Sequence, residues 1–334
     1  MSDQPNIYIT RRLPQPALDL LASAAQITMW PGELPPPPAV LRKEVAYVDG
    51  LLVLPSDTID ATLLEAATRL RVISNYAVEC NNIDCVAATA RGIVVTRTPD
   101  VLAETVADFT IALMLMAARR LIEADQYVKA GRWRTWGPET LLGRDLHGAT
   151  LGLIGVDKIA QAVAYRAQSF GMDILYHTPV RNIEDKQDAE LEYVSLKRLL
   201  SESDVISLHC PLTDDTYHLI DRDALDLLKP DAILINTAPG PIVDTHALVL
   251  ALQQKPIIAA LDVTDPEPLP PDHPLINLPN VIVTPHMASA SVQTRTRMAL
   301  IAAENVLATL RGEQPFAMVN PEVWRERVIS IGRP

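Results

Sequence analysis

Thr150-Leu151-Gly152-Leu153-Ile154-Gly155-Val156-Asp157-Lys158-Ile159-Ala160 is the stretch that decides the fold. An apolar run reaches Gly155 and passes without a spacer into a helical period over Lys158–Phe170. A strand that turns straight into a helix is the first βα step of a parallel, doubly wound sheet. Its turn is the place for a Gly-x-Gly-x-x-Gly loop, in which each glycine has a task. Here the six positions read Gly155, Val156, Asp157, Lys158, Ile159 and Ala160, and only the first glycine is kept. Asp157 adds a Cβ and a negative charge where backbone would approach a pyrophosphate, and Ala160 adds a methyl where helix and strand pack. Two readings stay open. One is a weakened dinucleotide loop, served by the N–H groups and partial positive charge of a helix N-terminus. The other is a βα turn that has lost its ligand, with Asp157 as the N-cap.

Outward from that step the alternation continues. Strands are expected at Asn6–Thr10, Leu51–Leu54, Val72–Val78 and Ile93–Thr98, with helices at Gln15–Ala24, Asp60–Ala67 and Ile83–Ala90. One long helix is expected from about Leu102 to Ala130. The second series begins with Ala149–Gly155 and continues with strands Asp173–Tyr176, Val205–His209, Ala232–Asn236, Ile257–Asp262 and Val281–Thr284. A last helix over Val292–Arg311 ends at Gly312, a C-cap. Pro35–Pro38 reads as a stiff surface linker. Two βα series imply two α/β domains, Rossmann-like or flavodoxin-like, each a doubly wound parallel sheet.

The 334 residues, 48% of them hydrophobic, are enough for two cores. A net charge of −12 argues against nucleic acid or an anionic membrane as partner. Met1–Asn6 carries no basic, apolar secretory pattern, and the longest apolar run, Phe109–Ala118, is too short to span a bilayer. Cys80, Cys85 and Cys210 are odd in number and lack metal-ligand spacing, so reduced, packed thiols in a cytoplasmic protein, with no metal, are expected. Only 13 glycines are present, where the usual ~7% would give roughly 23. That shortage falls on a chemistry that depends on glycine.

A Pro-rich segment from Leu261 to His286 holds Glu267 on a turn and His286 at the end of an apolar run. A carboxylate beside an imidazole fixes its tautomer and favours its charged form, which makes a proton-transfer pair. The plainer reading is a surface turn and a buried strand with a histidine at its end. A second choice lies at Tyr176-His177-Thr178-Pro179-Val180-Arg181. An acidic residue ending this strand would accept ribose hydroxyls and favour NAD(H). Thr178 has no carboxylate and Arg181 could meet a 2′-phosphate, which leans to NADP(H) over NAD(H), unless Arg181 is an ordinary solvated charge.

With its dense proline punctuation, the Leu261–His286 segment resembles the D-2-hydroxyacid dehydrogenases, in particular their glyoxylate/hydroxypyruvate reductase branch, and the likeness extends from about Asn6 to Pro315. The resemblance implies a discontinuous substrate domain, 1–100 plus 291–334, a dinucleotide domain, 101–290, and a cleft between them. It implies His286 as acid/base and Glu267 as its partner. Cofactor positions would be Gly155, Val156, Asp157, Lys158, Ile159, Thr178, Arg181, Pro211, Thr237 and Asp262, Lys158 being where the family often has a basic residue. Substrate positions would be Val78, Glu79, Pro239 and Trp136, the last resembling a tryptophan lent across a homodimer interface. Simple interface packing is the other reading of Trp136.

The chain also departs from the family pattern. The turn Asn236-Thr237-Ala238-Pro239-Gly240 has proline where the family has the arginine that clamps and polarises a 2-oxo acid. Glu79 stands where the family has glycine beside the substrate carboxylate, and Asp100, Val106 and Ala288 replace family Gly, Thr and Gly. Arg11, Arg97 and Arg295 could stand in for the clamp, but an exposed, ion-paired role is expected of each. Three functions follow. The first is reduction of a small 2-oxo acid. The second is a silent binding or regulatory protein on the same fold. The third and weaker is a phosphite dehydrogenase-like oxidoreductase.

Overall fold

The computed structural model describes residues 4–178 and 191–325. In chain order the elements begin β1 Asn6–Ile9, α1 Gln15–Ala24, β2 Gln26–Met29, α2 Pro38–Val45, β3 Gly50–Val53, α3 Ala61–Glu65, β4 Val72–Asn75, α4 Cys85–Ala90 and β5 Val94–Thr96. Then come α5 Ala103–Ala118, α6 Leu121–Lys129, β6 Thr150–Ile154, α7 Lys158–Ser169, β7 Asp173–His177, β8 Glu192–Tyr193, α8 Leu196–Glu202 and β9 Val205–Leu208. The chain closes with α9 Arg222–Asp226, β10 Ile233–Asn236, α10 Thr245–Gln254, β11 Ile258–Leu261, β12 Val281–Val283 and α11 Val292–Arg311. Two compact units result: Met1–Leu102 with Ser291–Pro334, and Ala103–Ala290.

The first unit is a five-stranded parallel sheet in the order β2-β1-β3-β4-β5. Alternate residues serve opposite faces, as the two-residue period of a strand requires. Ile7, Ile9, Leu52, Val72 and Val94 face α1 and α11, while Tyr8, Leu51, Val53, Ile73 and Val95 face α2 to α4. A Cβ on Gly50 would lie 2.9 Å from Val306 Cγ1, so this glycine lets α11 lie close on the sheet. Ser291 caps α11 at its start through the Thr294 N–H, and Gly312 ends it at φ 79°.

The second unit is a seven-stranded parallel sheet, β12-β11-β10-β9-β6-β7-β8. The order reverses between β6 and β9, the switch point at whose carboxyl edge open α/β sheets bind ligands. Leu151, Leu153, Val205, Ile233 and Ile235 pack under α5 and α7, and Ile206, Leu208, Leu234 and Leu261 pack under α8 to α10.

Several expectations need correction. The expected single helix from Leu102 to Ala130 is two, broken at Arg120, whose φ is 52°. No Gly or Pro marks the break, and α6 buries none of its residues, so core packing does not hold the two in line. The expected strand Val72–Val78 stops at Asn75 and continues as a loop. β2, an edge strand with no fully buried residue, was not expected. Nor was α2, which starts at Pro38, the last residue of the proline run, and tolerates it because the first helical position needs no N–H. Among the described residues, no helix is long and apolar enough to cross a membrane.

Candidate active site

At the carboxyl edge of the seven-stranded sheet, the loops after β11 and β12 leave side by side, because those strands pair in parallel. This brings His286 to Glu267: Nδ1 lies 2.6 Å from Oε1, with both side chains about half exposed, at 52% and 41%. An ionised carboxylate only accepts, so Nδ1 carries the hydrogen and Nε2 is the nitrogen that exchanges protons.

The backbone of His286 is left-handed, φ 49°, a conformation that disfavours a side chain by about 1–2 kcal/mol. Its N–H is held by the carbonyls of Asp262 and Thr284, both at 3.0 Å. The Asp262 carboxylate, 2% exposed, accepts from Thr284 Oγ1 at 2.6 Å and from the Met287 and Ala288 N–H groups at 2.8 Å each. Asp262 was expected beside a cofactor. Both of its oxygens bind the loop that positions His286.

The switch-point loop is built around Gly155, at φ 104°. An added Cβ there would sit 2.6 Å from the carbonyl of His209, so only glycine allows the turn. The N–H groups of Val156 and Asp157 make no hydrogen bond among the described residues. Asp157 caps α7, its Oδ1 accepting from the Ala160 N–H at 2.8 Å. Asp157 is exposed as a residue, yet its carboxyl group is tucked against the helix end. Burial there raises its pKa, while the Ala160 and Ile159 N–H groups pull it down. These residues fit a nicotinamide dinucleotide through Gly155 and the unbonded amides. They fit its pyrophosphate poorly at one point, because a carboxylate stands where the helix would receive a phosphate. Lys158 is exposed and Ile159 half-buried.

The remaining candidates fall as follows. Thr178 is buried at the end of β7, and Arg181 lies outside the described residues. Pro211 is exposed, its carbonyl accepting from Thr216 Oγ1 at 2.7 Å. Thr237 Oγ1 is 3.4 Å from Thr110 Oγ1. Pro239 is half-buried and leads a short 3-10 turn, and it offers no donor there. Trp136 is 80% exposed in the segment after α6. In the first unit Val78 is half-buried and Glu79 exposed, on the loop after β4.

None of the three arginines is exposed as expected. Arg11 is buried, with Nη1 3.3 Å from Asp57 Oδ1 and 2.7 Å from the Thr10 carbonyl, so it belongs to the core. Arg97 is half-buried and forms no ion pair among the described residues. Arg295 is half-buried on α11, its carbonyl accepting from the Tyr76 hydroxyl at 2.7 Å.

His209, on the carbonyl that crowds Gly155, was missed by the sequence reading. It is buried, its Nε2 is 2.8 Å from Ser207 Oγ, and burial pushes its pKa down to about 3. The signal was the alternation Ser207-Leu208-His209, which puts both polar side chains on one face of a buried strand. Burial pushes the Cys80 and Cys210 thiols up to about 11, so they are poor nucleophiles at neutral pH. Among the described residues no cluster of His, Cys, Asp or Glu could hold a metal.

Comparison with known proteins places these features. A family model described as D-isomer specific 2-hydroxyacid dehydrogenase, NAD binding domain, matches residues 111–288. The glyoxylate reductase of Korarchaeum cryptofilum is 47% identical over 97% of this chain and 98% of its own length. That of Aeropyrum pernix is 46% identical over 97% and 98%. The crystal structure of the TT0316 protein from Thermus thermophilus superposes with a TM-score of 0.89 at 47% identity, covering 94% of this chain and 99% of that one. The NADPH-dependent glyoxylate/hydroxypyruvate reductase SMc04462 of Sinorhizobium meliloti, solved with NADP and malonate, gives 0.83 at 33% identity, covering 95% and 97%.

Proposed function

Because this chain belongs to the D-isomer specific 2-hydroxyacid dehydrogenase family, we propose that it reduces a small 2-oxo acid of the glyoxylate or hydroxypyruvate type, with His286 as the proton donor. The 2.6 Å contact between His286 Nδ1 and Glu267 Oε1 carries this reading. A bound nicotinamide dinucleotide would supply the hydride that adds to C2 of the acid. His286 Nε2 gives its proton to the oxygen that becomes the hydroxyl, and Glu267 keeps the ring oriented while its charge changes. Asp262 fixes the backbone from which His286 projects. The loop Gly155–Ile159 would hold the dinucleotide. Thr178, with no carboxylate, favours NADP(H) over NAD(H).

Pro239 leaves the 2-oxo group without the guanidinium of the family pattern. Loss of one such donor at a reacting oxygen lowers rates by about 10²–10³-fold, so slow turnover is expected. The direct test is loss of absorbance at 340 nm with NADPH or NADH and glyoxylate or hydroxypyruvate. A rate equal to the buffer control at millimolar substrate, with both cofactors, would sink the proposal.

Pro239, Asp157 and Glu79 together favour a second reading, a silent member of the family that binds and does not turn over. Restoring Pro239→Arg, Asp157→Gly and Glu79→Gly separates the two. Activity in the triple variant over an inert parent would mark the parent as silenced. We also assign a homodimer, on the exposed Leu121, Ile122, Val128, Trp133, Trp136 and Leu142 of α6 and the segment after it. Light scattering at the monomer mass would reject that assignment.

A further inference from the structure

The five-stranded sheet ends at β5, and a segment that is not itself a strand closes this edge. β5 reads Val94-Val95-Thr96, and all three residues are buried although β4 is its one strand partner. Along a strand, successive residues turn their peptide groups to opposite sides. The N–H groups of Val94 and Thr98 face β4 and the loop after it, donating to the carbonyls of Arg71 at 3.0 Å and Ala77 at 2.8 Å. Ile93, Val95 and Arg97 therefore carry the outward groups, an N–H and a carbonyl each. Buried peptide groups must be bonded, and every one of these is. The Ile93 N–H donates to the Ala88 carbonyl of α4 at 3.0 Å, and the Arg97 carbonyl accepts from Asn305 Nδ2 of α11 at 3.3 Å. The rest all go to residues 317–320, a short segment after α11.

The Arg97 N–H donates to the Ala317 carbonyl at 3.2 Å, and the Val319 N–H donates to the Val95 carbonyl at 2.8 Å. Between them Met318 forms an antiparallel bridge with Thr96. One residue further on, a side chain takes over from the backbone. The Asn320 amide, 3% exposed, accepts from the Val95 N–H through Oδ1 at 2.8 Å and donates through Nδ2 to the Ile93 carbonyl at 2.9 Å. A carboxamide has the acceptor and donor of a peptide group, so Asn320 stands in for the next residue of a strand. Its Nδ2 also donates to Thr89 Oγ1 of α4 at 2.9 Å. Pro321 follows, with no N–H to extend the pairing. Met318 packs on one core and Val319 on the other, as alternate residues of a sixth strand would. Ala317, at φ 56°, turns the chain onto the edge in a conformation that a residue with a Cβ seldom takes.

What this segment covers is a hazard. Ile93-Val94-Val95-Thr96 is β-branched throughout, uncharged and free of proline, the composition of a strand that pairs with copies of itself. The edge accepts an antiparallel neighbour, as the bridge between Thr96 and Met318 shows. Two β5 strands can meet in that orientation about a twofold axis, which makes the contact self-complementary. We propose that residues 317–320 are a strand-mimicking plug that keeps the β5 edge from pairing with β5 of a second copy of this chain. The plug lies wholly within the first unit and stands apart from catalysis, so it holds whether or not the chain reduces an acid.

The full chain carrying Val319→Pro and Asn320→Ala tests this, since it lacks the Val319 N–H and the Asn320 carboxamide that bond Ile93 and Val95. Residue-resolved hydrogen–deuterium exchange on a dilute sample should show the Val95 amide opening at least tenfold faster than in the parent. The Val94 amide, bonded on the β4 side, should change less than twofold. Light scattering from micromolar to submillimolar protein should give the parent one constant mass. The variant should reach at least twice that mass over the same range, and its Val95 amide should regain protection as it does. Unchanged exchange in β1 and β3 reports an intact sheet. Should the double variant lose that protection, Asn320→Ala alone, which keeps the Val319 N–H, is read in the same way. Val95 exchange within twofold of the parent, or a mass that stays at the parent's, would overturn the plug. Association that leaves the Val95 amide unprotected would also overturn it, by placing the new contact on another surface.

Discussion

His286 and Glu267 act as one group, since a bond to a carboxylate at 2.6 Å fixes the tautomer and orientation of the imidazole. On the reductase reading, His286→Gln should lower kcat by about 10²–10⁴-fold while dinucleotide affinity holds. Glu267→Gln should cost less and shift the pH–rate profile, because it leaves the proton donor in place and removes its partner. Stopped-flow assay across pH separates the two, and an unchanged kcat in His286→Gln would end the assignment. Asp157 is a different case. Asparagine caps a helix as well as aspartate, so Asp157→Asn removes the charge and keeps the cap. Dinucleotide Kd is expected to fall about tenfold, from 1.4 kcal/mol of relieved repulsion, with melting temperature unchanged. An equal or larger Kd would show that the carboxylate does not oppose the pyrophosphate. The sequence exposed Asp157 because a motif with fixed tasks showed the wrong residue at a known place. It could not show that His286 and Glu267 meet, since they lie 19 residues apart across a proline-rich turn. Asp262 was also hidden. Its carboxylate orders the loop Thr284–Ala288 across 22 to 26 residues of chain, which no local spacing reveals.

Elements were legible where the hydrophobic period was long or the cap was explicit. α1 and α11 have the bounds their apolar spacing implies, and α11 stops at Gly312. The break between α5 and α6 was not legible, because Arg119-Arg120 carries no helix-breaking residue. β2 was invisible because an edge strand without a fully buried position has no apolar alternation to read. One element contact invites a direct measurement. Gly50 of β3 faces α11, and Gly50→Val would push into Val306. Overpacking of this kind destabilises by about 1–3 kcal/mol. Urea titration should show a lower midpoint with an unchanged slope, and an equal midpoint would mean that α11 can shift without cost.

For the whole molecule, His209 sets an acid limit. It is buried in the second unit's sheet, and burial holds its pKa near 3, below the ordinary value of 6.5. The unfolded chain therefore takes up a proton between those values that the folded chain refuses. Stability from this group is complete above about 6.5 and is lost as pH falls toward 3, at about 1.4 kcal/mol per pH unit. Urea midpoints should drop between pH 7 and 5, and His209→Gln, which can still meet Ser207, should flatten that drop. Parallel lines for parent and variant would contradict it. The two-sheet architecture was legible because each strand–helix step repeats the same pattern, and the fold needs only that repetition. The return of α11 to the first unit has a consequence for biosynthesis. A ribosome releases the first five strands and then makes all of Ala103–Ala290 before the helix that covers one face of them exists. At about 5–20 residues per second that is a delay on the order of ten seconds. Throughout it the part of one sheet face that α11 will cover, beside α1, stands open in the nascent chain, a natural client for a chaperone, while the unit encoded in the middle of the message is free to fold first.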